Sequence, residues 1–512
     1  MPAGRRTRRT VRSSPSTAVC SWRCITSIRS DTRFAIATNI IDRLAKGKRN
    51  MAFKGMSTVV ARCLSSLGLL FRLERGLPQS NLRLVVDGLA GALAVGVVAT
   101  TPVAAQEKPS SLGLGIFTFT SGPAAAYGMP GKNAADLMID EINAKGGIAG
   151  VPVSATYVDE AQGAQGVIAE YRRLAGDAKN LVMIAALSSA NCLALAPLAE
   201  QLEVPTVGWN CDTHQLLMDG KSKYVFRPNG NTVPEFIAYA IYLLDRKPDV
   251  KTVAIINPDY AFGHDAAKIF TAALKALKPD VEIVAELYPK LGSPNYQTEI
   301  SRLTTARPDV VFSNLWGADL ENFVRQAAPR GIFTSSQVIL ALGETMLQRV
   351  PLPDGVIVGV LGDGWWMSPD ARAKPETVKF ADAYKARFGE YPVFPSIKMA
   401  NALIYVKAAY EAAIQKNGGK WPTRAELAAA MKGSKVETLT GTAQTRADND
   451  GLVDQIVGVT VKTPAQQFPV IGDMVRYKGD GLMPQTGQGP LAWISTLKPE
   501  FVRSLPKPGS YK

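Results

Sequence analysis

Residues Asn180–Leu216 read NLVMIAALSSANCLALAPLAEQLEVPTVGWNCDTHQL, and their pattern parses as strand, tight turn, helix, strand and loop. Leu181–Leu187 is a short apolar run without charge, as in a strand buried on both faces. Ser188, Ser189, Ala190 and Asn191 end that run with the residue types a helix N-cap favours. Cys192–Leu202 then predicts a helix and Pro205–Gly208 a second buried strand. A helix that starts at the carboxyl end of a parallel strand presents free N–H groups and a partial positive charge. Such a turn is a carboxylate seat that needs no arginine. For one such turn in isolation the plainer reading is the commoner, because capping alone explains Ser and Asn.

The same alternation runs through most of the chain. A first strand is expected over Leu112–Phe119 and a helix over Lys132–Asn143, stopped by Lys145-Gly146-Gly147. A second strand covers Val151–Val158 and a second helix Gln165–Leu174. After a short strand at 224–228 and a helix over Val233–Leu244 the rhythm restarts. Strands are expected near 253–256, 281–287, 310–312, 338–342 and 356–360, with helices over Gly263–Leu277, Tyr296–Thr305 and Leu320–Ala328 between the earlier ones. Helices over Lys374–Phe388, Ile397–Ile414 and Arg424–Met431 follow. Residues 436–485, rich in Gly and Thr, read as antiparallel strands. Alternating strands and helices imply parallel sheets covered on both faces, here in two similar α/β units. In open sheets of this kind ligands sit beyond the carboxyl ends of the strands, and two such units facing each other make a cleft that closing would bury.

At 512 residues the chain exceeds a single core. Its net charge of +14 suggests a nucleic-acid partner until the charge is mapped. Residues 1–105 hold 17 Lys and Arg against 4 Asp and Glu, whereas the other residues hold 41 against 40. The basic signal therefore belongs to the N-terminal segment, and the near-neutral body gives no reason to expect DNA or RNA. Within that segment, Arg83 is a charged start, Gly88–Thr100 is a small-residue apolar stretch and Val103-Ala104-Ala105 resembles a cleavage site. This is the pattern of a secretory signal peptide cut before Gln106, with an apolar stretch too short to span a bilayer as a helix. Residues 1–80, arginine-rich and acid-poor, read as translated sequence ahead of the true start, with Met51 and Met56 as candidate starts.

Only two histidines, His214 and His264, are present. A catalytic triad, a HExxH zinc site or a multi-histidine centre has little to draw on, and no metal or cofactor is expected. Gly220-Lys221-Ser222 lacks the earlier glycine of a phosphate loop, and Gly113-x-Gly115 lacks the third glycine of a dinucleotide site. Cys192 and Cys211 flank the opening stretch. Two unpaired buried thiols is the slightly favoured reading, and a bridge between adjacent strand ends is the other; secretion makes that bridge chemically permissible.

Five segments carry a family likeness: GPAAAYG (122–128), DEINAKGGIAG (140–150), ALSSAN (186–191), NPDYAFG (257–263) and VRQA (324–327). Together they resemble the bacterial periplasmic binding proteins for leucine, isoleucine and valine. The resemblance implies a type I periplasmic-binding fold, two Rossmann-like lobes joined by a three-strand hinge. Lobe 1 would take 106–228 with 365–450 and lobe 2 would take 229–364 with 451–500, leaving 501–512 as a tail. It also implies a monomer in the periplasm that hands an amino acid or similar small carboxylate to an ABC permease of the inner membrane.

Carried onto this chain, the resemblance makes Ser189 the hydroxyl for the ligand carboxylate, with Leu187 beside it. Asn210, Cys211 and Asp212 stand where the family uses a small Ala-Ala-Thr loop, so Asp212 either pairs a cation or excludes a carboxylate. Tyr260 matches the hydroxyl clamp of the second lobe, Glu344 the ammonium-binding acid, and Tyr127 and Trp316 the aromatic walls. Each also has an ordinary structural role: Tyr260 or Asp212 as a helix cap, Glu344 as a dipole partner, the tryptophans as packing. Trp209, Trp316, Trp365 and Trp366 near strand ends hint at a flat or bulky ligand. An aromatic acid or amide as ligand, or a sensing co-receptor that transports nothing, are the other functions the body allows.

Overall fold

Leu112–Thr118 (β1) has all seven side chains buried, so it must lie inside a sheet covered on both faces. The computed structural model describes residues 107–511, and the expected leader with its cleavage site lies outside them. β1 leads through Ala125–Ala144 (α1) to Val153–Asp159 (β2), then Gly163–Ala175 (α2) and Val182–Ile184 (β3). Ser189–Leu202 (α3), Thr206–Val207 (β4) and Val225–Phe226 (β5) complete the first unit. The five strands are all parallel and lie in the order β2-β1-β3-β4-β5.

Thr232–Arg246 (α4) opens the second unit, whose strands are Thr252–Ile256 (β6), Glu282–Leu287 (β7), Val310–Ser313 (β8), Gln337–Leu340 (β9) and Ile357–Gly359 (β10). Helices Ala261–Leu277 (α5), Gln297–Ala306 (α6) and Gly317–Ala327 (α7) connect the first of these. The strands run β7-β6-β8-β9-β10, again parallel and in the same relative order as the first sheet. The chain then returns to the first unit through Pro375–Phe388 (α8), Phe394–Lys416 (α9) and Arg424–Met431 (α10), with α9 packed along α1. A small hairpin, Lys435–Glu437 (β11) and Thr442–Gln444 (β12), follows. Finally Gln455–Val461 (β13) and Val470–Tyr477 (β14) extend the second sheet beyond β10 as antiparallel strands.

Three segments therefore cross between the sheets: after β5, after β10 and before β13. At the crossing, the buried Arg227 guanidinium donates to both carboxylate oxygens of Asp450, at 2.8 and 2.9 Å. Its Nη1 donates to the carbonyls of Cys211 and Thr213 at 2.8 and 2.5 Å. All three of its nitrogens are thereby committed, through four hydrogen bonds, as a buried charge requires. Asp448-Asn449-Asp450-Gly451, whose sequence has the residue types of a hairpin turn, does turn the chain, with Arg446 N donating to Asp450 O at 2.7 Å. It also supplies the counter-ion of the crossing.

Two glycines of the family-like segments have a steric cause. A Cβ on Gly128 would lie 2.2 Å from the Phe119 carbonyl oxygen, and one on Gly263 would lie 1.9 Å from that of Pro258. In each unit the helix after the first strand rests its backbone directly on the strand's end, which only glycine permits. α1 accordingly begins at Ala125, earlier than Lys132, with Pro130 tolerated near its start. Among the described residues no helix is long and apolar enough to cross a membrane.

Candidate functional site

In a sheet of order 2-1-3-4-5 the chain reverses direction of winding between its first and third strands, and ligands bind at that switch point. Here two such points face one another. From the first unit come Tyr127 after β1, Leu187 and Ser189 after β3, and Asn210 and Asp212 after β4. From the second come Tyr260 and Phe262 after β6, Trp316 after β8 and Leu342 after β9. These nine residues line one small cavity. The two walls touch above it: the Tyr127 and Trp316 rings meet edge to face at 5.4 Å.

The Ser189 end is built by a residue that sequence reading missed. The buried Glu160 carboxylate, at the end of β2, accepts from Leu187 N at 2.6 Å, Ser188 N at 3.0 Å and Asn191 Nδ2 at 2.9 Å. Its backbone donors lie ahead of the helix, and Ser188 stands at the N-cap position without making a side-chain cap bond. The strand is shorter than expected and α3 starts at Ser189, three residues before Cys192. The first N–H groups of α3 itself have no intrahelical acceptor and stay free. Ser189 Oγ accepts from Thr213 N at 3.3 Å, which leaves its proton to donate into the cavity. Burial pushes the Glu160 carboxyl up to about 7, against the pull of those three donors.

Next to this turn the lining is acidic, for Ser189 Oγ meets the backbone of the residue that follows Asp212. Asp212 Oδ1 accepts from Lys398 Nζ at 3.0 Å. Lys398 Nζ also stands 3.6 Å from Glu235 Oε1, and all three side chains are buried. Asp212 does not cap the short helix after it; that bond belongs to Thr213, whose hydroxyl accepts from Gln215 N. Asn210 Nδ2 donates to Tyr127 Oη at 3.2 Å, while Asn210 Oδ1 is buried without a partner. Trp316 Nε1 is likewise a buried donor without a partner. Burial holds the Tyr127 and Tyr260 phenols well above their ordinary range, so both stay protonated.

Two expected contacts are placed elsewhere. The Cys211 sulfur is bonded to Cys192 with Cα atoms 6.2 Å apart, so the slightly favoured reading of free thiols is corrected: neighbouring strands β3 and β4 deliver both residues to one edge. Glu344 is buried outside the lining, its Oε2 accepting from Phe394 N at 3.0 Å, and burial pushes its carboxyl up to about 8. Of the four tryptophans, Trp316 lines the cavity, Trp209 is committed to Phe117 O at 2.9 Å, and Trp366 stacks on Tyr391 at 4.7 Å. Tyr260 is in the N-cap position of α5 but its side chain makes no cap bond.

The profile of the periplasmic binding proteins matches residues 111–466. The chain belongs to that family. This binding protein is 25% identical over 309 residues to "Leu/Ile/Val-binding protein homolog 7" of Brucella abortus, covering 58% of this chain and 75% of the relative. It is 25% identical over 327 residues to a "Leu/Ile/Val/Thr-binding protein" of Salmonella typhimurium, covering 63% and 83%. Its fold is similar to that of an ABC-transporter solute-binding protein from Rhodopseudomonas palustris BisB5 solved with 3,4-dihydroxybenzoic acid. There the TM-score is 0.62 at 24% identity, over 72% of this chain and 98% of the other. A branched-chain amino acid binding protein of Streptococcus pneumoniae, solved with isoleucine, gives a TM-score of 0.60 at 19% identity over 72% and 99%. The type I periplasmic-binding fold expected from the sequence is thus the fold observed, and the family is one of solute carriers.

Proposed function

We propose that this binding protein captures an α-amino acid in the periplasm and delivers it to an ABC permease, working as a monomer. The ligand carboxylate rests on the free N–H groups of α3 and the Ser189 hydroxyl. Its ammonium meets Asp212 and the unpartnered Asn210 Oδ1. Tyr127, Leu187, Tyr260, Phe262 and Leu342 surround the side chain, and the Trp316 N–H donates from the second lobe. Lobe 1, 106–228 with 365–450, and lobe 2, 229–364 with 451–500, open and close about the Arg227–Asp450 crossing. What supports the reading above all is the presence, in one cavity and side by side, of a helix N-terminus and unspent acceptors, since an α-amino acid carries its carboxylate and ammonium on one carbon. A thermal-shift panel of the common amino acids, benzoate, 4-hydroxybenzoate and simple amides tests it. A ligand that binds the folded state alone raises the melting temperature by mass action. Stabilisation by an amino acid and not by its desamino acid is the expected result; the reverse would reject it.

A further inference from the structure

Asp212 lines the cavity, and the buried groups behind it include more acids than cations to balance them. Asp212 and Glu235 are both buried, and among the described residues Lys398 is the only cation shared between them, at 3.0 and 3.6 Å. Arg227, the other cation nearby, is bound to both oxygens of Asp450 and to two carbonyls. Neither oxygen of Glu235 has a hydrogen-bond partner. An ionised carboxylate left in that state would be far costlier than a neutral one. The sequence carries the same signal: Glu235 is the lone acid in the apolar run TVPEFIAYAIYLL, and Lys398 the lone base in FPSIKMANALIYV.

We infer that Glu235 and Lys398 are specificity-determining residues for the ammonium end of the site: Glu235 holds a proton in the empty protein and releases it when a ligand cation takes Asp212. The inference rests on the amino-acid reading of the cavity. The charge balance is simple. Empty, the set Asp212, Lys398 and protonated Glu235 is neutral. With a ligand ammonium against Asp212, Lys398 is free to serve Glu235, the carboxyl O–H bond breaks, and the proton leaves to solvent. The occupied set, ligand ammonium included, is again neutral. A ligand without a cation gives no reason for the proton to leave. Burial, with Asp212 adding to it, pushes the empty-state Glu235 carboxyl up to about 8. The groups facing Glu235 are Lys398 on α9, Asp212 after β4, Arg227 at the crossing, Tyr127 on α1 and, on its own helix, Tyr239. Both tyrosines are pushed well above their ordinary range by burial, so neither exchanges protons here.

The sign follows from linkage: a ligand that expels a proton binds more tightly as pH rises, by at most about tenfold per unit for one proton. The effect ends once Glu235 is ionised in the empty protein as well, above about pH 9. Glu160, behind the Ser189 turn, titrates near neutrality too, so the readout is a difference. The full chain is titrated at pH 7.5 with the common amino acids, benzoate and 4-methylpentanoate, by calorimetry in two buffers of unlike ionisation enthalpy. The wild type is expected to release more protons per bound amino acid than Glu235→Gln, by up to about one. Infrared difference spectra of the wild type, which need no variant to fold, are expected to lose one protonated-carboxyl band, that of Glu235, on adding that amino acid, at a frequency of its own beside any band Glu160 gains. An amino acid that binds with equal release in both proteins, or without loss of the band, overturns the inference and leaves the proposed function standing. Binding of benzoate or 4-methylpentanoate but of no amino acid, or of nothing in the panel, overturns both.

Discussion

Replacing Ser189 by alanine removes one oxygen that serves two masters. Its hydroxyl accepts from Thr213 N at 3.3 Å and has its own proton available to the cavity. A hydrogen bond to a charged ligand group contributes about 1.5–3 kcal/mol, so its loss should weaken binding about ten- to a hundredfold. The Thr213 N–H, in a fully buried residue, would be left without an acceptor. That costs about 1–3 kcal/mol of stability, and the long 3.3 Å bond places the expectation at the low end. Calorimetry with the tightest ligand of the panel reads the first effect and urea unfolding of the unliganded protein reads the second. Ser188→Ala is the control, because that hydroxyl makes no cap bond one residue away. Its expected change is small in both assays. Wild-type affinity in Ser189→Ala, or an equal loss in Ser188→Ala, would refute the assignment of the carboxylate to this turn.

Arg227→Met leaves Asp450 buried and unpaired, and should lower the urea-unfolding free energy by about 3–5 kcal/mol; pairing it with Asp450→Leu should recover much of that. Cys192→Ala with Cys211→Ala opens a link across a sequence separation of 19 residues, worth about 3 kcal/mol. Ligand affinity should fall as well, since the bond ties the first turn of α3 to the Asn210–Asp212 loop; unchanged affinity under a reductant would count against that tie. Glu160 and Glu344 are pushed from 4.5 up to about 7 and about 8 by burial, so the folded state holds protons that the unfolded state has lost. Stability is therefore full below about pH 4.5 and declines as pH rises through 7 to 8, by an amount of order 3 kcal/mol for Glu160 alone. A urea midpoint that climbs from pH 5 to 8 would contradict this, and Glu160→Gln should flatten the fall. A ligand with a carboxylate and no ammonium should bind less tightly at pH 8 than at pH 6, because its charge competes with ionised Glu160.

The alternation of strands and helices was legible because buried parallel strands are apolar runs, and β1 with its seven buried residues is the clearest case. Boundaries were less so. α1 starts early because Gly128 lets its first turns rest on Phe119, a contact between elements that periodicity cannot encode. Seven of the nine residues expected at the cavity line it, since each stands just beyond a strand end and the family-like segments mark those ends. Asn257 shows why one of them is so recognisable: its Nδ2 donates to Gly263 O and its Oδ1 accepts from Asn314 N, joining the ends of β6 and β8. Glu160, Glu235 and Lys398 were not found. Their roles depend on pairings 27 to 186 residues apart in sequence, although a lone charge in an apolar helix is a signal that could have been read.

The two charged parts of the lining use the same device with opposite consequences. At α3 the protein's own Glu160 takes the N–H groups of Leu187 and Ser188, so a carboxylate placed there as proposed would arrive beside an existing acid and not in its place. Two full negative charges at one helix end would repel, and the half-protonated state of Glu160 near neutrality relieves that. At Asp212 the surplus acid is Glu235, and there a ligand cation favours ionisation. If the proposed placement holds, a zwitterion would drive one buried proton in and another out, and its net affinity would change little with pH. A ligand bearing one charge would feel only one of them. Discrimination between amino acids and simple carboxylates would then come from charge balance inside the closed cleft as much as from the shape of its aromatic walls.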